Sequence, residues 1–305
     1  MIGVLVMAYG GPNNVDEVEP YLLDVRGYRP TAPEIIQEVR ERYREIGGRS
    51  PILEQTCAQA EALERALNAE RADFKVFVGM RHWHPYIKDT LAEMQAEGIE
   101  RAVGLVMAPH FSRLSIEAYY KRLEQAGSSV QIARVEDWHL LPGYLDALAE
   151  RVRAALLRFP ENVRAQVPVI FSAHSLPERI LSWDDPYPRQ LQETTAALVE
   201  RLGPQPHDFA YQSAAISNEP WLGPEVGQKI KEYAARGVRH ILLCPIGFVC
   251  EHVEILYDID VVYQKLARSL DLQLERIEML NAAPAAISGL AGVVRQAAKE
   301  ADWLK

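Results

Sequence analysis

Eight short apolar runs, four in each half of the 305-residue chain, constrain its fold more than any other feature. In the first half they are Val4 to Ala8, Phe74 to Gly79, Ala102 to Ala108 and Val130 to Val135. In the second they are Val167 to Ser172, Asp208 to Gln212, His240 to Pro245 and Leu272 to Ile277. Each has the length of a strand, and stretches with helical spacing, such as Glu54 to Leu67 and Gln190 to Leu202, lie between them. Continuous rather than alternating apolar runs belong to strands buried on both faces, as in a parallel sheet covered by helices. The chain is therefore expected to be α/β, with two Rossmann-like βα domains, each holding a parallel four-stranded sheet. The boundary falls in Pro160 to Pro168, dividing residues 1–160 from 161–305, and a last helix over Ala283 to Trp303 goes with the second domain.

Composition removes several function classes. Net charge is −9 and the Lys and Arg residues are scattered, which disfavours nucleic acid as a partner. The longest nearly apolar run, Ile241 to Cys250, is half the ~20 residues a membrane helix needs, so no transmembrane segment is expected. The N-terminus, MIGVLVMAYGG, has no basic leader, so it reads as a first strand of a cytoplasmic protein rather than a signal peptide. Cys57, Cys244 and Cys250 form no CxxC pair, which argues against a disulfide framework or a cysteine-ligated metal. No strand is followed by GxGxxG, a P-loop or a nucleophile elbow.

Ligands of doubly wound sheets bind beyond the carboxyl ends of the strands, and the unusual residues cluster there. Tyr9-Gly10-Gly11-Pro12 follows the first strand, His82 and His84 the second, and Pro109-His110-Phe111-Ser112 the third. In the second half, His174 follows the first strand and the stretch Cys250 to Glu254 follows the third. His252 and Glu254 share a face if the backbone between them is extended, and Glu254 and Asp258 share one once it becomes helical. Imidazole on one wall of an apolar cleft and carboxylates on the other suit a divalent metal and proton transfer. Arg26 and Arg29, in DVRGYRP, and Ser50, in IGGRSP, sit in Gly/Pro-bounded segments suited to gripping ligand carboxylates. His82-Trp83-His84 is a tempting chelating pair, but with no third ligand nearby a structural role is favoured.

Seven stretches together resemble the ferrochelatases, enzymes that insert ferrous iron into a porphyrin: VLVMAYGGP, YREIGGRSPI, GMRHWHPYI, APHFS, FSAHSLPERI, YQSAAISNEPWLGP and GFVCEHVEILYDID. The resemblance implies a chelatase-like pair of lobes with the porphyrin in the cleft between them. It implies that His174 and Glu254 face the metal, with Asp258 behind, and that Tyr9 lies beneath the ring and can ligate the inserted iron axially. Arg26, Arg42, Tyr43, Ser50 and Tyr119 align with positions that contact the macrocycle or its propionates. The partners implied are a porphyrin and Fe2+ as substrates of a monomeric enzyme, with no permanently bound cofactor and no iron–sulfur cluster. The compact length and APHFS resemble the Gram-positive type that prefers coproporphyrin III to protoporphyrin IX. A cobalt or sirohydrochlorin chelatase and a non-catalytic tetrapyrrole carrier are the alternatives. Val262 stands where a third acid of the family's carboxylate ridge would fall, and Glu251 replaces the usual aspartate before the motif's histidine. His174 is the candidate to accept a pyrrole proton and Glu254 to guide iron; the reverse assignment also fits.

Overall fold

The computed structural model describes residues 1–69, 73–215 and 219–304. The first half runs β1 (Ile2–Ala8), α1 (Val18–Val25), α2 (Pro33–Glu45), α3 (Ile52–Leu67), β2 (Phe74–Met80), α4 (Ile87–Ala96), β3 (Arg101–Val106), α5 (Ile116–Gln125), β4 (Gln131–Val135) and α6 (Pro142–Leu156). The second runs β5 (Val169–His174), α7 (Tyr187–Leu202), β6 (His207–Gln212), α8 (Val226–Ala235), β7 (His240–Pro245), a π-helix (Glu254–Tyr263), α9 (Gln264–Ser269), β8 (Gln273–Arg276) and α10 (Pro284–Glu300). All eight apolar runs form strands, in two parallel sheets of order β2-β1-β3-β4 and β6-β5-β7-β8. Every residue of β1 is buried, as are Val169 to Ala173 of β5, because helices cover both faces of each sheet.

The final helix departs from its expected assignment. It leaves the second sheet and packs against α6 and α3 of the first half. Its apolar stripe, Ile287, Leu290, Ala291 and Val294, enters one core that also holds Val4 and Val6 of β1, Tyr144 and Leu148 of α6, and Val169 and Phe171 of β5. Proximity in sequence to β8 argued for the second domain, but the burial of that stripe decides the matter in space. Close helix contact is built in at Gly143, where a Cβ would stand 2.3 Å from the carbonyl oxygen of Ala285. Polar bonds also cross the lobes: Tyr144 Oη donates to the Ile246 carbonyl, and Gln59 Nε2 donates to the Asn281 carbonyl at 3.0 Å. Strand ends from the two sheets are thus held at fixed positions.

Candidate active site

His174 is the last residue of β5, paired in register with Gln212 of β6. The strand is pinned there because Gly247 passes so close that a Cβ on it would lie 2.7 Å from the Cβ of Ala173. Tyr187 Oη donates to the His174 carbonyl at 2.9 Å and the ring tilts against Trp221, centroids 6.4 Å apart. Nδ1 of His174 is bonded to the carbonyl oxygen of Ser175. A carbonyl can only accept, so Nδ1 carries a hydrogen and Nε2 is the nitrogen at which the ring gains or loses a proton. That nitrogen faces Glu254 Oε1 at 3.5 Å.

Glu254 opens the π-helix. Its Oε2 is buried and has no hydrogen-bond partner among the described residues, with His252 Nε2 standing 3.9 Å away. The backbone around it is not extended: Val253 is already helical, and the His252 carbonyl accepts from both Ile255 and Leu256. His252 and Glu254 meet through the helix start, not through a strand face. Burial pushes the Glu254 carboxyl upward, but the imidazoles of His174 and His252 outweigh it and hold it below its ordinary range. Burial pushes His252 downward, and Glu254 more than reverses that.

The wide turn of a π-helix sets Glu254 and Asp258 side by side. Burial drives the Asp258 carboxyl up to about 6 against the hydrogen bond from Ser213, with the Glu254 charge adding to the rise. Ser213 Oγ donates to Asp258 Oδ2 from a residue at φ 60°, a left-handed conformation uncommon outside glycine. The ridge stops there, since Val262 follows with 43% of its surface exposed. Arg276 anchors the segment from behind, bidentate to Asp260 at 2.7 and 2.8 Å and to Glu251 at 3.1 and 3.2 Å.

The first lobe supplies the opposite wall. Tyr9 leaves β1 into the turn at Gly10 (φ +90°), with 39% of its surface exposed. Protein atoms nonetheless crowd its phenol and push it up to about 12, against the pull of Arg81. Its ring tilts against that of His82, centroids 4.6 Å apart, and His82 Nδ1 donates to buried Asp24 at 2.7 Å. The His82–His84 motif is structural here, since His84 packs edge-on to Trp83 and Tyr86. The Glu254 charge is felt at Tyr9, Tyr43 and Tyr119, so the two walls face each other.

Among the other expected contact residues, Tyr43, Ser50 and Tyr119 are buried. Arg42 pairs with Glu38, stands 5.5 Å from the Tyr257 ring centroid on the π-helix, and keeps a buried Nε without an acceptor. Arg26 is exposed beyond α1, and its guanidinium has no ion pair among the described residues; nothing brings it to the paired acid and imidazole. Ser213 and Arg81 were not singled out from the sequence, although YQSAA and MRHWHP contain them, whereas His252 was, as a neighbour of Glu254 on an extended stretch. Ile216 to Asn218 of the YQSAAISNEPWLGP stretch lie outside the described residues. Among the described residues no three His, Cys, Asp or Glu side chains form a metal cage, and no helix is long and apolar enough to cross a membrane. Cys244 and Cys250 are buried, which pushes both thiols up.

Two parallel sheets with an imidazole and a carboxylate meeting at their strand ends make a chelatase architecture. A structure of SirB from Bacillus subtilis with Fe3+ superposes with a TM-score of 0.61, covering 99% of this chain and 98% of that one, at 11% identity, a likeness of fold alone. The family model described as Ferrochelatase matches residues 1–298. A ferrochelatase of Herpetosiphon aurantiacus is 43% identical over 296 residues, spanning 95% of this chain and 97% of its own. A coproporphyrin III ferrochelatase of Oceanobacillus iheyensis is 39% identical over 303 residues, spanning 98% and 97%. The chain belongs to the ferrochelatase family, lyases that insert iron into a porphyrin in haem synthesis.

Proposed function

We propose that the porphyrin is coproporphyrin III, that His174 accepts a pyrrole proton, and that Glu254 receives the iron. The observation that carries the two roles is the facing pair itself. With Nδ1 committed to Ser175, Nε2 is the one ring nitrogen of His174 free to take up a proton, and it faces a carboxylate 3.5 Å away. Carrying that proton, the ring is the cation that helps hold Glu254 ionised; without it, the ring presents a lone pair. Two acceptors at that distance repel unless a proton or a cation lies between them. Insertion delivers both: Fe2+ enters, two pyrrole N–H bonds break, and two protons leave. Held ionised by its imidazole neighbours, Glu254 is suited to draw water off the ion, with Asp258 and Ser213 behind it. Tyr9 lies across from the pair, where it can sit beneath the ring and ligate the product iron. Arg42, Tyr43, Ser50 and Tyr119 are the proposed contacts to the macrocycle or its propionates, and Arg26 a contact only at the cleft's outer edge.

The enzyme needs no resident cofactor or iron–sulfur cluster on this reading, and works as a cytoplasmic monomer. The substrate assignment draws on relatives named coproporphyrin III ferrochelatase. Anaerobic Fe(II) insertion, followed by loss of metal-free porphyrin fluorescence, should run faster with coproporphyrin III than with protoporphyrin IX. The reverse preference discards the substrate assignment, and binding of both without turnover discards catalysis in favour of a carrier.

A further inference from the structure

Arg81 follows β2 at the edge of the first sheet, its amide bonded to the Ala8 carbonyl at 2.9 Å beside Tyr9. Its guanidinium stands 5.8 Å from the ring centroid of Tyr9 and 5.3 Å from that of Tyr119. No carboxylate neutralises it: among the described residues it has no ion pair, and its Nε is buried without an acceptor. Asp24, the buried acid of this neighbourhood, is already engaged by His82 at 2.7 Å and Arg122 at 3.5 Å. Contact with two aromatic faces supplies part of what a half-buried cation loses in leaving water, but not its hydrogen-bond acceptors. Five fork-arranged donors lacking an acceptor are suited to a planar carboxylate.

We infer that Arg81 is a propionate-binding residue, reading a carboxylate on the macrocycle edge that passes over Tyr9 and Tyr119. It differs in place from Arg42, which lies against the π-helix of the other lobe. Two cations fixed to different elements can grip carboxylates on different edges of one ring. A porphyrin with four propionates satisfies both whichever way it enters, whereas one with two leaves a guanidinium unmatched or must enter in one orientation. Arg81 therefore determines specificity, favouring the more highly carboxylated ring. This inference deepens the coproporphyrin reading and rests on it for the direction of the preference.

The test measures porphyrin affinity by fluorescence, together with KM and kcat, for coproporphyrin III and protoporphyrin IX in the wild type, Arg81→Gln and Arg81→Lys. Arg81→Gln should weaken coproporphyrin binding roughly 10–100-fold, the size of a lost charge-assisted hydrogen bond. KM should rise more than kcat falls, and the rise should be smaller for protoporphyrin, so selectivity between them shrinks. Arg81→Lys keeps the charge without the fork and should recover part of the affinity. Equal weakening for both porphyrins, or a fall in kcat alone, would overturn the inference and leave Arg81 as packing for Tyr9. Failure of the substrate reading shows separately, as a wild type that prefers protoporphyrin; the affinity of the variants for coproporphyrin still judges the arginine.

Discussion

Set side by side, β1 and β5 hold the same second place in sheets of the same strand order, and each leads to a residue turned to chemistry: Tyr9 directly follows β1, and His174 is the last residue of β5. The neighbouring strands diverge in the same manner. Arg81 and His82 follow β2, while Ser213 follows β6. Beyond β3 the chain returns in an ordinary α-helix, α5, whereas beyond β7 it returns in a π-helix carrying Glu254 and Asp258. One topology has been given two tasks. The first lobe presents aromatic rings and guanidinium groups, of which Arg81 has no ion pair among the described residues, and these suit a flat ring with carboxylates on its rim. The second presents imidazole and carboxylate, which suit protons and a divalent ion.

If that division is real, substitutions in the second lobe should stop insertion while the ring still binds. His174→Ala is the strongest form, because a positioned base contributes about 10²–10⁴-fold to rate. Insertion should fall by that factor while porphyrin affinity stays within a few fold. Equal loss of both would erase the distinction between the lobes. Glu254→Gln keeps the shape and removes the charge, and should cost roughly 10–150-fold in kcat, the range of a lost charged hydrogen bond. A normal rate in that variant would end the carboxylate's role in handling iron.

A third substitution sharpens the contrast by pairing an arginine from each lobe. Arg276 touches neither His174 nor Glu254, yet its forks hold Glu251 just before the π-helix and Asp260 within it. Arg276→Gln leaves two partly buried carboxylates facing each other and should cost about 3–5 kcal/mol of stability, as when one partner of a buried pair is lost. Where the variant remains folded, kcat should fall about tenfold through misplacement of Glu254, the effect of a small displacement at a reacting centre. Its porphyrin KM should not move, opposite to the KM-dominated effect expected at Arg81. A shift in porphyrin KM of the same size would show that the π-helix also positions the ring.

The sheets were legible because continuous apolar runs have few other ways to be buried, and His174 and Glu254 because residues at strand ends in a parallel sheet share a cleft. The destination of α10 was not, since its apolar stripe specifies that a face is buried but not against which partner. Nor was the π-helix: Glu254 to Tyr263 has apolar spacing compatible with an α-helix, and residue type does not distinguish the wider turn, whose Asp258 and Asp260 are bonded to Ser213 and Arg276 from outside the segment. The extended reading of His252 to Glu254 failed for the same reason, because helical geometry begins at Val253. Ser213 was hidden because its backbone conformation, which aims the hydroxyl at Asp258, leaves no trace in residue type.

The smallest effect concerns stability alone and isolates the first lobe. Burial lowers the His82 imidazole from its ordinary value of 6.5 to about 4, with the Arg81 charge adding to the fall and the bond to Asp24 opposing it. The folded protein therefore keeps this ring neutral at pH values where the unfolded chain would protonate it. Between pH 6.5 and 4 the unfolded state binds more protons, so stability declines as pH falls through that window and is fully present above it. Other groups titrate there too, and a difference of differences removes them: urea midpoints of wild type and His82→Asn compared at pH 7.5 and 4.5. The wild type should lose about 1–3 kcal/mol more than the variant, at roughly 1.4 kcal/mol per pKa unit. Equal losses would mean that the His82 imidazole takes up its proton in the folded lobe over the same pH range as in the unfolded chain, so that burial does not keep it neutral.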